Sequence, residues 1–335
     1  MTDANTPDPF LPSLPPGKIV NLGERGETFA RVMMDHEPEA PTVLLLHGWL
    51  ASADLNWFGC YAALSQRWNV IAIDHRGHGR GIRSPRPFAL EAAADDAAAL
   101  LQALQITGPV VAVGYSMGGP IAMHLAHRHP KRVQGLVATA TALTFRSSLR
   151  ERITQRLLPV LGMALRLDAS RVVVERLAAE VGPTDVLVAA WRAQLIGESM
   201  RTTTRNALEA GRALGRYDAT PWAGELRLPA VVVATTKDRL VPLARQRDLA
   251  AALGARQFDV DGDHDILVRR PALFADTIRA AVAAVVEQIA AERATGVAAP
   301  GPTSVPLSPV AQQGVAEAGA ARSLKRLRHR LLSGR

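Results

Sequence analysis

A mostly parallel, doubly wound α/β sheet with an inserted helical cap is the fold class this sequence predicts, on three observations. Short segments dominated by apolar, often β-branched residues recur at Thr42–Leu46, Asn69–Ile73, Val110–Tyr115, Arg132–Ala138 and Ala230–Thr235. A strand covered on both faces reads this way, because neither side needs polar residues. Between the first four lie stretches with helical spacing, at about 52–67, 88–105 and 117–128. Strand–helix alternation builds βαβ units and hence a parallel sheet. The alternation then lapses from 144 to 218, where Leu, Ala and Arg at helical spacing replace strand patterns; this stretch is the expected cap.

The remaining elements follow in order. Residues 1–16 are Pro-rich and polar, so a disordered segment is expected there. The core is expected over 17–143 and 219–293. It opens with Lys18–Leu22 and Thr28–Met34 around Gly23-Glu-Arg-Gly26, a hairpin signal. After the cap, Ala230–Thr235 leads to a helix at about 242–253, a strand at Arg256–Val260 and an Ala-rich helix from 271 to about 293. Residues 294–317 carry Gly, Pro, Ser and Gln and read as a flexible linker. In the basic amphipathic tail, 318–335, Leu324, Leu327, Leu331 and Leu332 fall on one helical face. That pattern suits peripheral contact with an anionic membrane. A solvated extension, or docking on the protein's own body, is the other reading.

Length and composition exclude several classes. With 335 residues, 48% of them hydrophobic, the chain can bury a sizeable core and is not wholly disordered. No apolar run reaches about 18 residues, as a spanning helix requires. The first 17 residues have no basic residue and no apolar stretch, unlike a secretory signal. The one cysteine, Cys60, excludes an internal disulfide and a cysteine metal cluster. The expectation is a cytoplasmic protein, peripheral at the inner membrane face if the tail binds lipid. Six positive charges, and no negative ones, fall in the last 14 residues, so the net charge of +8 leaves a body near neutrality. No specific nucleic-acid partner is expected.

The chemistry concentrates where apolar strands end. Val110–Tyr115 runs into Gly114-Tyr115-Ser116-Met117-Gly118, a G-x-S-x-G that opens a helical stretch. This is the nucleophile-elbow pattern, in which a serine sits on a tight strand-to-helix turn. A serine hydroxyl needs a base, and the base an orienting acid. Of nine histidines, His264 stands in Asp261-Gly-Asp-His264-Asp just after the last strand, at the carboxyl edge where open α/β sheets place their sites.

The chain resembles the α/β-hydrolase fold superfamily over roughly residues 17–292. His47-Gly48-Trp49 looks like the family's oxyanion loop, Asp74-His-Arg76-Gly77-His-Gly79 like its D-x-R-G-x-G turn, and Gly114–Gly118 like its elbow. Asp238 and His264 fall where the family keeps its acid and histidine. Gly81 departs from the pattern, since many members carry a serine there. The resemblance implies Ser116 as nucleophile, His264 as base and Asp238 as the acid orienting it. Asp259, Asp261, Asp263 and Asp265 lie too close to His264 in sequence to fit the acid position. The oxyanion donors implied are the backbone N–H groups of Trp49 and Met117. No metal or other cofactor is implied.

Trp49, Tyr115 and Met117 are the expected substrate contacts, although the Trp49 side chain and Met117 serve equally as packing. Trp57, Phe58 and Tyr61 read as core. Arg201 and Arg205 suit either an anionic group or a solvated face. The function expected is a serine hydrolase cleaving a carboxylic ester, lactone or thioester of a largely apolar small-molecule acyl substrate. A cofactor-free haloperoxidase or perhydrolase, or a carbon–carbon bond hydrolase, would use the same triad. A non-catalytic binding module on the same fold is the remaining alternative, and its usual mark is a broken triad.

Overall fold

The computed structural model describes residues 14–145, 197–198 and 201–296. Nearly all of the N-terminal segment, most of the expected cap, and all but the first residues of the expected linker and tail lie outside the described residues. Eight strands form one sheet in the order β1-β2-β4-β3-β5-β6-β7-β8. They are β1 (Gly17–Asn21), β2 (Glu27–Met33), β3 (Thr42–Leu46), β4 (Asn69–Ile73), β5 (Val110–Tyr115), β6 (Val133–Thr139), β7 (Ala230–Thr235) and β8 (Arg256–Val260). The β1–β2 hairpin joins β4 antiparallel, and every other pairing is parallel.

The described helices are α1 (Ala53–Trp57), α2 (Tyr61–Ser65), α3 (Leu90–Ala103), α4 (Gly118–Arg128), α5 (Thr204–Arg216), α6 (Leu243–Leu253), α7 (Ile266–Arg269) and α8 (Pro271–Thr295). Strand side chains alternate, so Leu44 and Leu46 of β3 enter one apolar layer and Val43 and Leu45 the other. The first layer holds α3, α4 and α6; the second holds α1, α2 and α8. Each central strand is buried along its whole length, which explains its unbroken apolar sequence.

Two expectations need correction. The single helix expected over about 52–67 is broken into α1 and α2 by a turn at Phe58–Cys60. Gly59 lies in that turn, where a Cβ would stand only 3.2 Å from the Cβ of Pro271, at the start of α8. The short helix α7 was not expected at all; its four residues are too few for a periodicity to show.

Within the expected insertion, Thr144 and Asp218 pair in an isolated antiparallel bridge, and Ala219 N–H donates to Leu143 O at 2.7 Å. These contacts bring the two ends of the 144–218 stretch together at the core. Helix α5 is capped by Thr203, whose hydroxyl accepts from Asn206 N–H, as N-capping residues do. No helix among the described residues is long and apolar enough to cross a membrane.

Gly81, the departure noted above, has a steric cause: a Cβ built there would collide with the carbonyl oxygens of His75 and Asp74. Backbone cannot yield as a flexible side chain can. Gly81→Ser should therefore destabilise the fold by roughly 1–3 kcal/mol or more, the range for overpacking, read as a lower urea midpoint at unchanged slope. An unchanged midpoint would show that this turn has room to spare.

Candidate active site

The elbow is built by close approach. A Cβ on Gly114 would collide with the backbone of Gly118, and one on Gly118 with the carbonyl oxygen of Leu46 at the end of β3. Only glycines let β5, the turn and α4 come this near one another. Between them Ser116 adopts φ +51°, a left-handed conformation that is costly for any residue with a Cβ. It is held there by Ser116 N–H donating to Thr139 O (2.9 Å) and Gly119 N–H donating to Ser116 O (2.9 Å).

The loops at the carboxyl edges of β5, β7 and β8 bring the three expected side chains together. His264 Nε2 lies 3.0 Å from Ser116 Oγ, and His264 Nδ1 lies 2.8 Å from Asp238 Oδ2. A carboxylate only accepts, so Nδ1 carries the proton and Nε2 is left to accept from the serine hydroxyl. The Asp238 side chain is fully buried and His264 is part-buried. Asp238 Oδ1 accepts from Leu240 N–H (2.9 Å) and Val241 N–H (2.8 Å), and Oδ2 also accepts from Thr235 Oγ1 (2.7 Å). Thr235 is in turn held by buried Gln246, whose Nε2 donates to Thr235 Oγ1 at 3.0 Å. The carboxylate is thus fixed on both oxygens. The competing carboxylates are engaged elsewhere: Asp259 with Arg247, Asp261 with Lys237, Asp263 with Arg239 and Asp265 with Arg269.

The loop after β3 lies against the nucleophile, since a Cβ on Gly48 would come within 3.4 Å of Ser116 Cβ. Gly48 N–H donates to Asn56 Oδ1 (2.9 Å). His47 Nε2 accepts from His75 N–H (2.9 Å), which assigns the proton to Nδ1 and makes it the donor to Gly48 O (2.8 Å). Neither Trp49 N–H nor Met117 N–H donates to an acceptor among the described residues.

The expected substrate contacts divide. Met117 is a correction: its side chain is fully buried in the apolar layer of α3 and α4, because the turn that aims Ser116 at His264 aims its successor into that layer. Tyr115 is likewise buried, with its hydroxyl donating to His264 O, so it supports the histidine loop instead of lining the cleft. Of the three, only Trp49 is substantially exposed, at 41%. Trp57 and Tyr61 are core, as their spacing suggested, with Trp57 stacked on Phe274. Arg201 pairs with Glu198 and Arg205 with Glu209, each at 2.9 Å.

Thr235, Gln246 and the Tyr115 hydroxyl were missed as supporting residues. Thr235 had a signal, standing at a strand end three residues before Asp238; Gln246 had none. Among the described residues no group of three or more His, Cys, Asp or Glu is arranged to hold a metal ion.

A protein-family model described as alpha/beta hydrolase fold matches residues 41–271. The chain belongs to the α/β hydrolase fold family. A pimeloyl-acyl-carrier-protein methyl ester esterase from Neisseria meningitidis serogroup C is 32% identical over 206 residues, 60% of this chain and 76% of that protein. Among solved structures, the enol-lactonase from Burkholderia xenovorans has a TM-score of 0.63 at 24% identity, covering 80% of this chain and all of that one. A bromoperoxidase from Bacillus anthracis has a TM-score of 0.66 at 16% identity, with the same coverage. These two likenesses show the fold. With esterases among its sequence relatives, the chain is a hydrolase of this family.

Beneath the site, His47, His75 and His78 form a buried cluster, with the His47 ring centroid 4.2 Å from that of His75 and 5.6 Å from that of His78. Burial lowers all three: His47 to about 4, His78 to about 3, and His75 well below its usual value. Neighbouring cationic forms repel one another and add to the lowering of His75 and His78. Unfolded, these rings bind protons near pH 6.5; folded, they do so only near pH 4 or below. Stability from this cluster is therefore complete above about pH 6.5 and is lost as pH falls toward 4, because the unfolded chain takes up protons first. For His47 alone this corresponds to roughly 3 kcal/mol. Thermal midpoints should drop between pH 7 and 4, with a shallower slope in His75→Phe, whose ring nitrogens have no partner among the described residues. Parallel slopes in the two proteins would remove the cluster as the cause.

Proposed function

We propose that this hydrolase cleaves a carboxylic ester of a largely apolar acyl substrate through an acyl-enzyme at Ser116. The observation that carries this reading is the unbroken relay Ser116 Oγ–His264 Nε2, His264 Nδ1–Asp238 Oδ2, at 3.0 and 2.8 Å. The sequence relatedness to a methyl ester esterase supports an ester as the bond cleaved.

In this reading Ser116 Oγ attacks the acyl carbon as its proton passes to His264 Nε2. The carbonyl electron pair moves onto oxygen, where the backbone N–H groups of Trp49 and Met117 stabilise it. Such donors typically contribute roughly 3–4 kcal/mol in the transition state. The carbon–oxygen bond to the leaving group breaks as Nε2 returns the proton, releasing an alcohol. Water, deprotonated by His264, then attacks the acyl-serine and frees the acid and the Ser116 hydroxyl. Asp238 holds the Nδ1–H tautomer throughout and stabilises the imidazolium.

A panel of p-nitrophenyl esters with acyl chains from two to sixteen carbons tests the reaction class and ranks the acyl length. Ser116→Ala should abolish fluorophosphonate labelling and lower ester turnover by several orders of magnitude; labelling that survives places the nucleophile elsewhere. Asp238→Asn should retain the fold by circular dichroism and lose turnover by up to roughly 10⁴-fold, the loss seen on the equivalent change in another Ser-His-Asp enzyme. Near-normal turnover in that variant would mean that a different group orients His264.

A further inference from the structure

We propose that Trp49 is a positioning residue: its indole fastens the oxyanion loop to helix α5, so the seat of that helix governs the rate of acyl transfer. The inference rests on the reading of Ser116, His264 and the Trp49 N–H given above, and adds a residue role within that site.

Three observations carry it. The indole Nε1–H donates to the carbonyl oxygen of Ala207, 158 residues away in sequence, at 2.9 Å. In an α-helix the carbonyl of residue 207 lies one turn below residue 211, which is glycine. A Cβ on Gly211 would stand 2.9 Å from Trp49 Cζ2, so the ring rests where a side chain would be and reaches a carbonyl that a side chain would screen. Glycine in a helix interior costs up to about 1 kcal/mol against alanine, so its place in α5 needs a reason, and the indole supplies one.

The loop itself is weakly determined. Residues 48–51 form a turn closed by a long bond, Ala51 N–H to Gly48 O at 3.4 Å. Its third residue, Leu50, has φ +61°, a left-handed conformation suited to glycine. A turn with a strained leucine and a long closing bond needs outside support to present the Trp49 N–H at a fixed point. Gly48 is held from the core side by Asn56 and His47. Trp49 is held from the other side by α5. That helix has its own attachments: Glu209 Oε2 accepts from Phe88 N–H (3.0 Å), Arg205 donates to Pro85 O (3.2 Å), and the Asn206 side chain packs at Gly77. It can therefore act as a fixed abutment for the indole.

The test compares Trp49→Phe, which removes the donor and keeps a ring, with Gly211→Ala, which puts a methyl group where the ring rests, and with the double variant. The readout is kcat per fluorophosphonate-titrated serine and KM, both for p-nitrophenyl butyrate. Each single change should lower kcat by about five-fold or more, the scale of one hydrogen bond, with KM little changed. The double variant should be no slower than the slower single, since both act on one contact. A role in stability alone would lower the thermal midpoint and leave kcat per titrated serine intact. An unchanged kcat in Trp49→Phe, or losses that multiply in the double variant, overturns the inference. If fluorophosphonate fails to label Ser116 in the wild-type protein, the acyl-transfer reading itself falls; labelling with kcat indifferent to residues 49 and 211 removes only the positioning role.

Discussion

Gly118 lies so near the carbonyl oxygen of Leu46 that no side chain fits between them, and the geometry of the site follows from that approach. It presses the start of α4 against the end of β3 and leaves Ser116 in a left-handed turn. β3 and β5 are neighbours in the sheet, with Leu46 in register with Gly114. The turn after β3 therefore falls beside the serine. The backbone strain at Ser116 persists because the packing around it leaves no alternative.

A second constraint lies under the loops. The turn after β4 is irregular backbone lying below the protein surface, and its polar groups need partners. Asp74 accepts from Ala53 N–H and Arg80 N–H, each at 2.7 Å. Buried Asp96 takes both Arg76 and Arg25, and Asp54 takes Arg31 and Arg80. Charges withdrawn from water in this way are tolerable only when paired, and removing one partner costs more than the pair contributes. The same region holds the three buried histidines in their neutral forms. Rigidity of the loops that frame the site is thus coupled to sensitivity to acid.

Family membership and substrate choice are different questions. The family tells what class of enzyme this is. Among the described residues Trp49 and Leu240 are exposed large apolar side chains, Trp49 in the loop after β3 and Leu240 two residues beyond Asp238. The indole of Trp49 ties the loop after β3 to α5 through Ala207 O, at 2.9 Å.

Much of the fold was legible because central strands of a parallel sheet are buried on both faces, and burial writes itself as apolar runs. Thr42–Leu46, Asn69–Ile73, Val110–Tyr115 and Ala230–Thr235 are strands with the bounds their sequences suggest. Ser116, Asp238 and His264 could be singled out because each stands at a strand's carboxyl end with turn residues around it. Residues whose roles depend on distant neighbours were not legible. The break at Phe58–Cys60 reflects the approach of Pro271, more than two hundred residues on. Gln246 supports Asp238 through Thr235 from inside a helix of ordinary composition. Met117 and Tyr115 look like pocket residues beside a nucleophile, yet the side chains of both pack into the core. Nothing local to Trp49 or Gly211 indicates that they touch. Most strands and helices are set by residues within a few positions of one another, so the sequence determines them. A contact across 158 residues is decided by how the layers pack, and only the tertiary structure records that.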